Sequence, residues 1–356
     1  MSKFASKFVE NVRPYKGREK PEDKKTLRLD WNEPTIPPSP KVIEKISDFL
    51  KHGQLNCYPE PDNLELMEKL SKYLKVNPDN ILLFNGSDFA LDCIAKTFVD
   101  VGDKIVYVFP SYDNFRFYLE IKGAKVFEFY FSNTFGPQNI EELIKVVQKV
   151  KPKITYLANP DNPTGTIFGV SDIEKYLKNT QDTLLVLDEA YIEFDPEYSS
   201  LELVEHYGNL LITRTFSKVF CLASLRCGYA VSSPEIISDM KKVRNMMEVN
   251  QIAQIAASAA LDDLEYMRKY VSEVKKSKVL LASELKKLGI AYEMGFGNFF
   301  LMRFDQPTKI KAELKKRGII VRDKSSSKGL EGFLRVTIGD FGTTKQFINV
   351  LKELLK

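Results

Sequence analysis

Residues 81–98 read ILLFNGSDFALDCIAKTF and hold a complete strand, turn and helix in eighteen positions. Ile81 to Phe84 is a short, unbroken apolar run, the mark of a strand covered on both faces. Gly86-Ser87-Asp88 turns the chain, and from Phe89 onward the apolar residues recur at helical spacing. The same unit repeats downstream. Short β-rich runs follow at KIVYVF (104–109), KVFEFYF (125–131), KITYLA (153–158), TLLVLDE (183–189), NLLITRT (209–215) and LRCGYAVS (225–232), with helical segments such as IEELIKVVQKV (140–150) between them. Strands alternating with helices predict an α/β fold, with a mostly parallel sheet flanked by helices. After about residue 250 the pattern changes to a long helical stretch (252–289), then NFFLMRF (298–304), a helix, GIIVR (318–322), FLRVTIG (333–339) and a last helix. That change predicts an N-terminal arm over 1–35, a large α/β domain over 36–250 and a smaller α+β domain over 251–356.

The 356-residue length suits two lobes better than one. Its 52 basic and 48 acidic residues are scattered rather than blocked, so nucleic acid is not expected as a partner. Cys57, Cys93, Cys221 and Cys227 lack C-x-x-C spacing and nearby histidines, which argues for free thiols in a reducing compartment and against zinc. The first twenty residues lack the apolar core of a signal peptide, and no run approaches a membrane span. A cytoplasmic protein without membrane partners is the expectation. With only His52 and His206 present, histidine triads and metal sites are not expected either.

In a sheet of this kind ligands gather at the carboxyl ends of the strands, so the loops there matter most. Gly86-Ser87-Asp88 opens a helix whose free N–H groups and positive dipole end suit a phosphate. Asn159-Pro160-Asp161-Asn162-Pro163-Thr164-Gly165 is a stiff loop that holds the Asn162 side chain in one place. Asp188, ending an apolar strand, needs a cationic partner, and a protonated ring nitrogen would suffice; Tyr191 follows three residues on. Lys218 lies just past the NLLITRT strand, between Thr215, Ser217 and an apolar run ending at Arg226; apolar company favours the neutral amine, a nucleophile toward aldehydes. Tyr112, in Pro110-Ser111-Tyr112, offers a ring to stack on a flat ligand. A phosphate grip, a carboxylate, phenol and amide donors, a stacking ring and a lysine together fit pyridoxal 5'-phosphate. Each also has a plainer explanation: Ser87 and Asp88 as helix caps, Tyr112 and Tyr191 as packed aromatics, Arg322 and Arg335 as surface charges.

At this point the chain resembles the fold-type I pyridoxal-phosphate aminotransferases, in particular the histidinol-phosphate aminotransferase group. The likeness runs through RPYKG (13–17), LDWNEPTIPPSP (29–40), YPEPDN (58–63), NGSD (85–88), PSYDNFRFY (110–118), NPDNPTG (159–165), DEAYIEF (188–194), RTFSKVFCLASLRCGYA (214–230), GIIVRD (318–323) and LRVTIG (334–339). It implies that Lys218 binds the cofactor aldehyde and shuttles the proton, while Asp188 keeps the pyridinium protonated. Asn162 and Tyr191 would bond the ring oxygen, and Tyr112 would stack on the ring. Gly86, Ser87, Asp88, Thr215, Ser217 and Arg226 would surround the phosphate. It further implies a homodimer with shared active sites, Tyr58 reaching the neighbour's cofactor phosphate, and Tyr15, Asn32, Arg322 and Arg335 at the substrate. Cys221 and Ser224 replace glycines usual in the family, and KVRNMMEVNQIAQ (242–254) lacks the proline that histidinol-phosphate enzymes typically carry on the substrate side.

The leading expectation is a transaminase exchanging an amino group between glutamate or 2-oxoglutarate and a small phosphorylated compound. The alternative is decarboxylation of a phosphorylated amino acid such as serine or threonine phosphate, since bond choice depends only on which bond stands perpendicular to the ring. A non-catalytic binding module of the same fold would be expected to have lost Lys218 or Asp188, and both are present.

Overall fold

The computed structural model describes residues 2–10, 12, 26–61 and 63–356. In chain order its strands are β1 (Leu27–Leu29), β2 (Ile81–Phe84), β3 (Lys104–Phe109), β4 (Lys125–Tyr130), β5 (Ile154–Ala158), β6 (Leu184–Asp188), β7 (Leu210–Thr215), β8 (Gly228–Ser232), β9 (Tyr292–Glu293), β10 (Phe299–Arg303), β11 (Ile319–Asp323) and β12 (Phe333–Thr337). Seven of them form one sheet in the order β2-β8-β7-β6-β5-β3-β4. Pairings from β4 to β7 are parallel, and β8 runs antiparallel to both neighbours. The sheet is therefore mixed but mostly parallel, as the alternating sequence pattern requires.

The helices are α1 (Pro40–His52), α2 (Leu64–Leu74), α3 (Ser87–Phe98), α4 (Asn114–Ile121), α5 (Ile140–Val150), α6 (Val170–Asn179), α7 (Pro234–Val243), α8 (Gln251–Leu261), α9 (Leu264–Lys287), α10 (Pro307–Lys316) and α11 (Phe341–Leu354). Because side chains alternate along a strand, each central strand feeds two cores. Val106, Leu157, Leu187 and Ile212 meet helices α2, α5, α6, α8 and α9 on one face. Tyr107, Tyr156, Val186 and Leu211 meet α3, α4 and α7 on the other. Helices thus cover both faces of the central strands, while the edge strand β4 is largely exposed.

The second sheet has the order β1-β11-β12-β10-β9, with β1 parallel to β11 and the rest antiparallel. Leu27–Leu29, placed by the sequence in an N-terminal arm, is thus an edge strand here, 292 positions from Ile319 with which it pairs at Leu27. Three residues are too few to carry a period. The long helical stretch also divides, because Asp263 leaves the helical region (φ −134°, ψ 52°) between α8 and α9. Among the described residues no helix is long and apolar enough to cross a membrane.

Candidate active site

Parallel register sets Ala158, the last residue of β5, beside Asp188, the last of β6, and Asp188 beside Thr213, two residues before the end of β7. Asp188 is buried; its Oδ1 accepts from the Ala190 N–H and Thr213 Oγ1, both at 3.2 Å, and its Oδ2 accepts from the Tyr156 hydroxyl at 3.0 Å. Burial pushes the carboxyl up to about 6, although the Tyr156 and Thr213 hydrogen bonds pull the other way. A cation set against it would offset that desolvation. Its neighbour Glu189 already has one: Arg214 donates to Oε2 from Nε (2.9 Å) and Nη2 (2.6 Å), and the Ser200 N–H reaches Oε1 at 2.8 Å. Glu189 is thus neutralised by a guanidinium, whereas Asp188 has hydroxyl and amide donors but no cation among the described residues.

Lys218 follows β7, and its Nζ donates to the Trp31 carbonyl at 3.2 Å and lies 5.4 Å from the Tyr191 ring centroid. The Tyr191 hydroxyl accepts from Asn32 Nδ2 (3.0 Å) and Asn162 Nδ2 (3.3 Å). With both lone pairs engaged, its own proton remains to be donated. Asn162 Oδ1 in turn accepts from Arg335 Nη1, whose Nη2 reaches the Asp30 carbonyl at 2.7 Å. Asn32 holds φ +54° and donates its N–H to Thr337 Oγ1 at 3.0 Å. Residues from both sheets therefore meet around one phenol.

A second group forms where α3 begins. Gly86 takes φ +83°, and a Cβ there would come within 2.4 Å of Arg226 Nη2, so only glycine lets the guanidinium lie against the turn. Arg226 Nη1 donates to Ser217 Oγ and the Ala223 carbonyl, both at 3.1 Å, and Nη2 lies 3.6 Å from Asp88 Oδ2. Thr215 Oγ1 donates to Ser217 Oγ at 2.9 Å. The Ser87 and Asp88 N–H groups precede the first intrahelical bonds of α3. The Asp88 carboxylate itself is occupied, since Oδ1 accepts from the Tyr112 hydroxyl at 2.7 Å and from Asn114 Nδ2 at 3.3 Å. Its side chain thus pins the Tyr112 ring, leaving backbone N–H groups as the anion donors. Cys221, in a glycine position of the family, adopts a glycine-like φ of +61°.

Tyr58 stands apart, 87% exposed and making none of these contacts within the chain. Arg322 faces Arg335 across β11 and β12, and its side chain makes no hydrogen bond or ion pair with any other described residue. Tyr15 lies outside the described residues. Sequence reasoning missed the Trp31 carbonyl and the Tyr156 and Thr213 hydroxyls. The latter two had a signal, being polar residues inside apolar strands, where a buried hydroxyl needs a partner.

The set fits pyridoxal 5'-phosphate: the Gly86 turn that a Cβ would fill can take the phosphate, and the desolvated Asp188 carboxylate can face the ring nitrogen. Among the described residues no cluster suits a metal. The family model for aminotransferases of class I and II matches residues 24–352. A dihydroxyacetone phosphate transaminase of Campylobacter jejuni is 40% identical over 335 residues, 93% of this chain and 90% of that protein. A histidinol-phosphate aminotransferase of Methanocaldococcus jannaschii is 36% identical over 343 residues, 94% of this chain and 90% of that one. The structure of a histidinol-phosphate aminotransferase from Sinorhizobium meliloti in complex with pyridoxal 5'-phosphate superimposes with a TM-score of 0.84 at 26% identity, covering 92% of this chain and 90% of that one.

Proposed function

Because the chain belongs to the aminotransferase class I and II family and is a pyridoxal-phosphate-dependent transaminase, we propose that it passes the amino group of glutamate to a small phosphorylated carbonyl compound. Dihydroxyacetone phosphate is the first acceptor to try. The carrying observation is the level register of Ala158, Asp188 and Thr213, with Lys218 and the Tyr191–Asn162–Arg335 network at the same strand ends. The transaminase names of relatives above 30% identity favour amino transfer over the decarboxylation of a phosphorylated amino acid.

When bound, the cofactor supplies an aldehyde that takes up the amino group and a ring that draws electrons from the carbon losing its proton. The protein's residues do the rest. Lys218 Nζ secures the aldehyde end and then carries the proton from the substrate α-carbon. Asp188 holds a proton on the facing ring nitrogen, braced by Tyr156 and Thr213. Tyr191 gives its remaining hydrogen bond, and Asn162 an amide, to the ring oxygen. Tyr112, tethered to Asp88, covers one ring face. The N–H groups of Ser87 and Asp88, with Thr215, Ser217 and Arg226, grip the phosphate. Arg335 binds a carboxylate of the donor, with Asn32 fixing the backbone beside it.

Two copies pair so that Tyr58 of each enters the other's site, supported by its exposure beside Leu55 and Leu64, themselves 62% and 77% exposed. Four unpaired cysteines suit the reducing cytoplasm. The test is to incubate the protein with [15N]glutamate and dihydroxyacetone phosphate and follow the label by mass spectrometry. Label in an aminated phosphate ester supports the proposal, and label confined to glutamate refutes it.

A further inference from the structure

Segment 242–254, where the sequence departs from the histidinol-phosphate enzymes, runs along an open sheet edge. β2 ends the larger sheet, and β8 takes up only one of its two sides. The backbone groups on the other side need partners that no strand supplies. Helix α7 stops at Val243, and Arg244 takes an extended conformation (φ −61°, ψ 140°) that ends it. Asn250 then caps α8 by accepting from the Ala253 N–H at 2.8 Å. Between them Asn245 Oδ1 accepts from the Met247 N–H at 3.1 Å, a turn that brings Glu248 back to the sheet.

Two side chains of this connection cover the edge. Arg244 Nη1 donates to the Leu83 carbonyl at 3.2 Å, and Glu248 Oε1 accepts from the Asn85 N–H at 3.1 Å. Pairing of β2 with β8 stops at Phe84 and Gly228, so the Asn85 N–H is the first amide beyond the ladder. It shares one planar peptide group with the Phe84 carbonyl, which accepts from the Gly86 N–H at 2.8 Å. Fixing that plane therefore fixes the start of the Gly86 turn. On the β8 side the same turn is hemmed in, since a Cβ on Gly228 would lie 2.5 Å from Ser87 N. Glu248 holds it from the outer edge. Burial pushes the half-buried Glu248 carboxyl up, although the Asn85 N–H and Arg244 pull it down. A carboxylate beside an anion-binding turn works against the anion by charge, so what Glu248 contributes there is geometry.

We propose that Glu248 is a positioning residue for the cofactor phosphate: by holding the Asn85 N–H it leaves the Ser87 and Asp88 N–H groups aimed at the anion. The inference rests on the phosphate grip assigned to the Gly86 turn and adds to it a side chain that acts through the backbone. Arg244 anchors the same edge one strand residue earlier and keeps the connection seated against β2.

The test compares binding of pyridoxal 5'-phosphate with binding of pyridoxal, which lacks the phosphate, to the full-length protein by equilibrium dialysis. Glu248→Met keeps the side-chain length and removes the acceptor. It should weaken pyridoxal 5'-phosphate by about 10-fold, the lower end for a hydrogen bond to a charged group, and leave pyridoxal unchanged. Glu248→Gln retains an oxygen acceptor and should restore the preference for the phosphate ester. Glu248→Ala serves where the methionine variant does not fold. Equal loss of both ligands would show a general packing role and overturn the proposal, as would no loss of either. A wild-type protein that binds the two ligands alike would remove the phosphate grip, and this inference with it. A wild type that prefers the ester, beside a Glu248→Met variant that keeps the same preference, would refute this inference alone.

Discussion

Asp188, Asp161 and Glu193 are buried carboxyls pushed up to about 6, 6 and 7, in each case chiefly by burial. Each binds its proton more tightly folded than unfolded, so its stabilising contribution is complete below the ordinary carboxylate range and is lost as pH rises toward these values. The cofactor-free protein should therefore lose stability as pH climbs from about 4 to 7. Asp188→Asn should flatten that fall between about 4 and 6, which melting curves across pH would register; an unchanged slope would mean that Asp188 carries no desolvation penalty. Lys218→Ala should lower the rate by ~10²–10⁴-fold or more, the span for losing a positioned proton carrier, with the folded state intact by circular dichroism. At this scale the sequence was legible where chemistry follows a strand end directly, as at Asp188, Lys218 and Asn162. It was silent where the partner is distant in the chain, as with the Trp31 carbonyl 187 positions from Lys218.

Close backbone approaches and a buried ion pair hold the elements in place. Arg214 of β7 clamps Glu189 at the end of β6, both nearly inaccessible to solvent. Removing one partner leaves an uncompensated charge, so Glu189→Ala should cost about 3–5 kcal/mol, readable by urea denaturation. The loop after β5 meets the turn before β10 so closely that a Cβ on Gly295 would lie 2.4 Å from Gly165 Cα. Gly295→Ala must shift backbone rather than a side chain, with an expected loss of at least ~1–3 kcal/mol. The central strands were legible almost to the residue, because burial on both faces makes them short continuous apolar runs. β1 was not legible: its pairing with β11 is set by tertiary contact, and three residues carry no pattern of their own.

At the scale of the whole molecule, the role proposed for Tyr58 requires a second copy. Sedimentation should give twice the 40.8 kDa chain mass, and Tyr58→Phe should weaken cofactor retention by about 10-fold, as for one lost hydrogen bond to a charged group, without changing that mass. A monomer with full activity would remove the role given to Tyr58. The α/β architecture followed from the alternation of strand and helix patterns, whereas the pairing of the N-terminal Leu27–Leu29 with β11 in the second sheet did not. The most direct measurement is the absorption spectrum of the protein loaded with pyridoxal phosphate. The account predicts a yellow band that fades with glutamate, returns with dihydroxyacetone phosphate, and is absent in Lys218→Ala; a band in the wild type that ignores glutamate would contradict it.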